Sequence, residues 1–169
     1  MNQTPSPLAR QEQPRRHYLY PGGIFVHHEP CLVTTVLGSC VSVCLWDCSA
    51  RVGGINHYLL PLWNGEGLPT PKYGNIAIVK LIEKVLAFPG TKRGNLVAKV
   101  FGGASMWDKG ESLLSVGDRN IELAMDLLEK QGLPILARDL GGRAGRKLIF
   151  NTADGSVLMR RQRVIPGVK

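Results

Sequence analysis

Apolar positions crowd residues 31–46, CLVTTVLGSCVSVCLW, and break only at Gly38-Ser39. A run rich in Val, Thr, Leu and Cys with a central Gly-Ser pair predicts two buried strands joined by a turn. A second turn is expected over 47–50, and RVGGINHYLLP then reads as a returning strand that ends at Pro61. The second and third of these strands form a predicted hairpin. Period two in its first arm puts Cys40, Ser42 and Cys44 on one face, with Val41, Val43 and Leu45 on the other.

Beyond Pro61 the pattern loosens, and Gly, Pro and Asn mark 62–74 as loop. Period 3.6 then predicts a helix over 76–88, capped by Asn75, with Ile76, Val79, Ile82, Val85 and Leu86 on one face and Pro89-Gly90 as its stop. A short strand over 96–101 enters the glycine turn FGGASM. A second helix is expected over 118–131, with Ile121, Ala124, Met125 and Leu128 inward and Gly132-Leu133-Pro134 as its end. Strands follow over 135–138, 147–151 and 156–163, the last two joined by Ala153-Asp154-Gly155. Two helices among many strands make an α+β protein.

At 169 residues the chain is long enough to bury a core as one domain, expected over 17–169. The polar, proline-bearing segment 1–16 reads as a flexible tail. No apolar run approaches a membrane span and the first residues lack the apolar stretch of a secretion signal, so a cytoplasmic protein that is not membrane-inserted is expected. Thiols stay reduced in that compartment, which argues against disulfides. The net charge of +8 and the basic residues from Arg138 to Lys169 (Arg143, Arg146, Lys147, Arg160, Arg161 and Arg163 between them) fit a solvated surface or an acidic partner. A nucleic acid would call for aromatics among these cations, and the segment holds only Phe150.

Three of the four cysteines fall at Cys40, Cys44 and Cys48. As a zinc site the C-x3-C-x3-C spacing is poor, because structural zinc favours close pairs from two knuckles, although His27, His28 and Cys31 could add ligands. As a nucleophile Cys40 is best placed, directly after a Gly-Ser turn whose backbone N–H groups could hold an oxyanion. Cys44 suits a buried apolar site and Cys48 an exposed hairpin tip. His57 on the returning strand could come back beside Cys40 as its base, but a lone histidine on a strand also serves structural ends, and the residues alone leave the pair open.

The block LGSCV, followed seventeen residues after its cysteine by the histidine of GGINHYLLP, resembles the chemoreceptor glutamine deamidase family of bacterial chemotaxis, CheD. PKYGNIAI, FGGASMW, GDRNIELAMDLL, RDLGGRAGRKLIF and SVLMR agree with it in order, so the resemblance spans roughly residues 18–163. It implies a layered α/β/β/α sandwich with mixed sheets, similar to cysteine-dependent deamidating toxins. It implies a cysteine-dependent protein-glutamine amidohydrolase with Cys40 as nucleophile, His57 as general base and acid, and Thr34 as the residue that orients His57, with Thr35 beside it as the other threonine. Backbone at Gly38 and Ser39 joins Cys40 as the expected oxyanion site. No metal or organic cofactor is implied. The implied substrate is the cytoplasmic helical bundle of methyl-accepting chemotaxis receptors, which tends to be acidic; methyl-ester hydrolysis is a second activity of the same chemistry, and a response-regulator phosphatase is a further implied partner. A non-catalytic adaptor of the same fold is the alternative, a thiol redox protein is disfavoured by the lack of C-x-x-C, and FGGASM reads as a packing turn before a wall of the substrate site.

Overall fold

The computed structural model describes residues 13–105 and 114–163. Among them nine strands and two helices run β1 (Arg15–Tyr18), β2 (Ile24–His27), β3 (Cys31–Leu37), β4 (Val41–Asp47), β5 (Val52–Asn56), α1 (Gly74–Leu86), β6 (Leu96–Gly102), α2 (Val116–Lys130), β7 (Ile135–Leu140), β8 (Gly145–Asn151) and β9 (Val157–Gln162). Residues 1–12 of the expected tail lie outside the described residues, whereas Arg15 and Arg16, assigned to that tail from sequence, belong to β1.

The strands form two mixed sheets, a four-stranded one in the order β1-β3-β8-β9 and a five-stranded one in the order β2-β5-β4-β6-β7. The β4–β5 hairpin is present, closed at 47–51 by Asp47, whose carboxylate accepts from the backbone of Ser49, Ala50 and Lys92. Burial works against ionisation of this carboxyl, but the three N–H donors outweigh it and hold the group below the usual carboxylate range.

Alternation in the strands builds two cores. Val41, Val43 and Leu45 of β4 face the helices with Val52, Ala98 and Val100, and meet Ile78, Leu81 and Val85 of α1 and Ala124 and Leu128 of α2. Cys44 faces the other way with Ile55 and Phe101, into an inter-sheet core with Val33, Leu37, Leu148 and Phe150. The molecule is thus an α+β layered sandwich. Both helices lie on the five-stranded sheet, and the described residues place no helix on the outer face of the four-stranded one.

Two helix expectations need correction. α1 starts at Gly74 with Tyr73 at its cap, and Asn75 sits inside its first turn, where its Oδ1 accepts from the Trp63 backbone instead. Its buried stripe is Ala77, Ile78, Leu81, Ile82 and Val85, so Ile76 and Val79 lie to the side of the predicted face. Gly74 sets the register: a Cβ there would meet the Leu123 and Tyr58 side chains at 2.5 and 2.7 Å. α2 begins earlier than expected because Ser115 and Asp118 form a reciprocal capping box.

Candidate active site

The expected site residues converge where β3, β4 and the chain after β5 meet. The register Cys44↔Ile55 continues past an opening to the bridge Val41↔Tyr58, which sets Ser42 opposite His57 and Cys40 on its diagonal. In that opening Asn56 Oδ1 takes the Val43 N–H at 2.8 Å. The returning strand ends at Asn56, before His57 and well before Pro61. His57 is held from the other side, its N–H donating to Gly23 O and its C=O accepting from Gly22 N. Cys40 packs against the inter-sheet core and keeps part of its surface exposed.

His57 is buried, with 1% of its surface exposed, and its Nδ1 lies 2.8 Å from Thr35 Oγ1. This corrects the assignment of Thr34. On β3 the odd residues turn inward, so Thr35 faces the inter-sheet space while Thr34 points out from the opposite face. The Thr35 hydroxyl also donates to Leu19 O at 2.8 Å. A hydroxyl has one hydrogen and a carbonyl can only accept, so toward His57 the Thr35 oxygen must accept. His57 therefore carries its proton on Nδ1, and Nε2 presents a lone pair with no hydrogen-bond partner among the described residues.

Both titrating groups are neutral at rest. Burial lowers the His57 pKa to about 4. Burial also pushes the Cys40 thiol up, and its own backbone N–H only partly opposes this. Both shifts favour a neutral thiol and a neutral imidazole over a preformed thiolate–imidazolium pair.

The loop before Cys40 is fastened by its carbonyls. Gly38 O accepts from Ala104 N at 2.9 Å, Cys40 O from Gly103 N at 2.8 Å, and Ser39 O from Asn120 Nδ2 at 3.0 Å. Among the described residues the Ser39 N–H is paired with no acceptor and the Cys40 N–H faces only its own sulfur, so neither amide is spent on another backbone group and both could serve an oxyanion. The glycine turn is the reason for the close fit. Gly102 has φ +115°, and a Cβ there would stand 2.2 Å from Cys40 O. The part of FGGASM that is described, through Ser105, packs under the Gly38–Cys40 loop; Met106 lies outside the described residues.

Asn120 is a site residue that the sequence reading passed over. Its Nδ2 donates to both Ser39 O and Leu59 O, at 3.0 and 2.9 Å, and its backbone carbonyl takes the Tyr58 hydroxyl at 2.5 Å. The available signal was an amide in the stripe Asn120, Ala124, Leu128, where an unpartnered polar group would be costly. The other cysteines go elsewhere: Cys44 is buried, with its thiol raised by desolvation, and Cys48 is exposed. His27 lies at the far end of β2 from His57, stacked on His28. Among the described residues no three His, Cys, Asp or Glu side chains gather to hold a metal ion, and no helix is long and apolar enough to cross a membrane.

Fold and site together define a layered α+β protein with a threonine-held histidine placed diagonally across the strand pair from a loop-borne cysteine. The family model described as CheD chemotactic sensory transduction matches residues 59–161. The chain is 55% identical over 147 residues to a Trichlorobacter lovleyi protein named probable chemoreceptor glutamine deamidase CheD, covering 87% of this chain and 91% of that one. A Sulfurimonas denitrificans protein of the same name is 47% identical over 86% of this chain and 93% of its own. One from Anaeromyxobacter dehalogenans, named probable chemoreceptor glutamine deamidase CheD 1, is 48% identical over 85% and 82%. The chain belongs to the CheD family.

Proposed function

We propose that this chain is a chemoreceptor glutamine deamidase that works through a thioester on Cys40. The observation that carries the reading is the Thr35–His57 bond, because it commits Nδ1 and leaves Nε2 as the base, on a residue one diagonal across the strand pair from Cys40. The Cys40 sulfur attacks the carboxamide carbon of a receptor glutamine as its proton passes to His57 Nε2. The N–H groups of Ser39 and Cys40 receive the negative oxygen. The imidazolium returns its proton to the departing nitrogen, ammonia leaves, and the acyl group stays on sulfur. Water then attacks the thioester with His57 again as base, which yields glutamate and restores the thiol. No step draws on a metal or organic cofactor. The second half is the same for a glutamate methyl ester, so the reading extends to ester hydrolysis.

The relatives' names supply the substrate class, a glutamine of a chemoreceptor, and the sequence resemblance points to the receptor's cytoplasmic part. Incubation with such a fragment, followed by peptide mass spectrometry, should show Gln-to-Glu conversion at defined positions that is absent with Cys40→Ala. Binding without conversion would instead support a non-catalytic adaptor, for receptors or for a response-regulator phosphatase.

A further inference from the structure

The outer face of the four-stranded sheet is uncovered among the described residues, and its chemistry is one-sided. Register aligns Tyr18, Thr34, Ile149 and Leu158 into one row across all four strands. Tyr18 is 45% exposed and Leu158 70%. The next row brings Val36, Lys147 and Arg160 together, and Arg16 flanks the first on β1. No described residue pointing out from this face is an Asp or Glu. Nor are all the nearby cations equivalent. Arg161, one residue from Arg160, turns to the other side and is paired with Asp139 at 2.7 Å, and Arg146 is buried.

A sheet face with an apolar row and only positive charge fits an amphipathic segment whose polar edge is acidic. The opposite sheet already carries two helices on its outer face, and a helix is the usual cover for such a surface. β3 links this face to the candidate active site, because Thr35 holds His57 from one side while Thr34 and Val36 point out from the other.

We propose that this face docks an acidic amphipathic helix of the chemoreceptor substrate, which lies against the Tyr18–Leu158 row with its carboxylates over Lys147, Arg160 and Arg16. The proposal rests on the deamidase reading for the identity of the partner, and it adds a contact surface separate from the Cys40 opening.

The test measures both binding and turnover of a chemoreceptor cytoplasmic fragment across a salt series. The proteins are the natural chain, Lys147→Glu/Arg160→Glu, Leu158→Asp, and Lys84→Glu on α1 as a charge control. Both face variants should bind about tenfold more weakly or worse, and the double reversal should also flatten the salt dependence. Lys84→Glu should behave like the natural protein, and alkylation of Cys40 by iodoacetamide should be the same in all four. Unchanged affinity and salt slope in the face variants would overturn the docking proposal, whatever the turnover. Fragment binding that depends on the face but produces no glutamate would keep the docking surface and refute the deamidase reading. A dimer that dissociates on charge reversal, with receptor affinity unmoved, would assign the face to a second copy and overturn the proposal.

Discussion

The direction of one hydrogen bond sets the chemistry of His57. Thr35 donates to Leu19 O and so can only accept from Nδ1, and this holds the imidazole in the tautomer whose free nitrogen can take a proton. Thr35→Val should therefore lower kcat about tenfold or more, the scale of a lost buried hydrogen bond at about 1–3 kcal/mol. Thr34→Val, on the other face of the strand, should leave kcat within about twofold, since surface changes away from such features cost little. Equal losses in a side-by-side turnover assay would contradict the geometry. The family resemblance put the role on Thr34 rather than its neighbour Thr35; the choice depends on which parity of β3 faces inward. The pH dependence follows from burial. With the His57 pKa lowered to about 4 and the Cys40 pKa raised, the alkylation rate should climb through pH 7 to 9 with no step near 6.5. A plateau beginning below pH 7 would show an ion pair that the structure does not have. The same histidine makes the fold acid-sensitive. The unfolded chain takes up a proton as pH falls through about 6.5, while folded His57 resists until about 4, so stability present above 6.5 is lost across that window.

The strand-to-helix turns decide whether Cys40 sits in a usable position. Gly102 and Gly103, in the left-handed region at φ +115° and +70°, let β6 end against the Cys40 carbonyl, and Gly117 lets α2 approach the same turn, where a Cβ would stand 2.5 Å from Gly103 O. Gly102→Ala should fold less stably by about 1–3 kcal/mol for the strained backbone alone. It should also change the rate of Cys40 alkylation, because the colliding atom is Cys40's own carbonyl oxygen. A Gly102→Ala variant with natural stability and alkylation would show that the turn only connects two elements. This level was partly legible beforehand. The Gly38-Ser39 break, the hairpin and the glycine pair are local signals and fall where expected. The Asn120 bonds to Ser39 and Leu59 span 81 and 61 residues, and periodicity within a helix carries no trace of such partners.

Across the whole molecule, the two sheets are joined by a buried charge. Arg146 of β8 donates from Nε to Asp139 Oδ1 of β7 at 2.7 Å, and its other nitrogens reach Ala144 O and Gly141 O. In the sequence Arg146 looked like one more cation in a basic segment. Its role shows only once β7 and β8, which belong to different sheets, are brought together. Burial makes the pair consequential: Arg146→Ala would leave the Asp139 carboxylate with only Arg161, and thermal or urea unfolding should show a loss of about 3–5 kcal/mol. A change below about 1 kcal/mol would mean the sheets are held by their apolar core alone. The α+β class was readable from strand and helix periods, and the layering only from the family resemblance. The placement of both helices on one sheet was not, because either sheet offers an apolar face to a helix at the level of pattern.

The central claim is that the acyl group passes through Cys40, and capturing that intermediate tests it most directly. A receptor cytoplasmic fragment mixed with the natural protein and quenched in acid should yield a covalent adduct that peptide mass mapping places on Cys40 and that hydroxylamine removes. Cys40→Ala should give no adduct and no glutamate, whereas Cys44→Ala should give both. Glutamate formed by Cys40→Ala, or an adduct mapped to Cys44 or Cys48, would contradict the account.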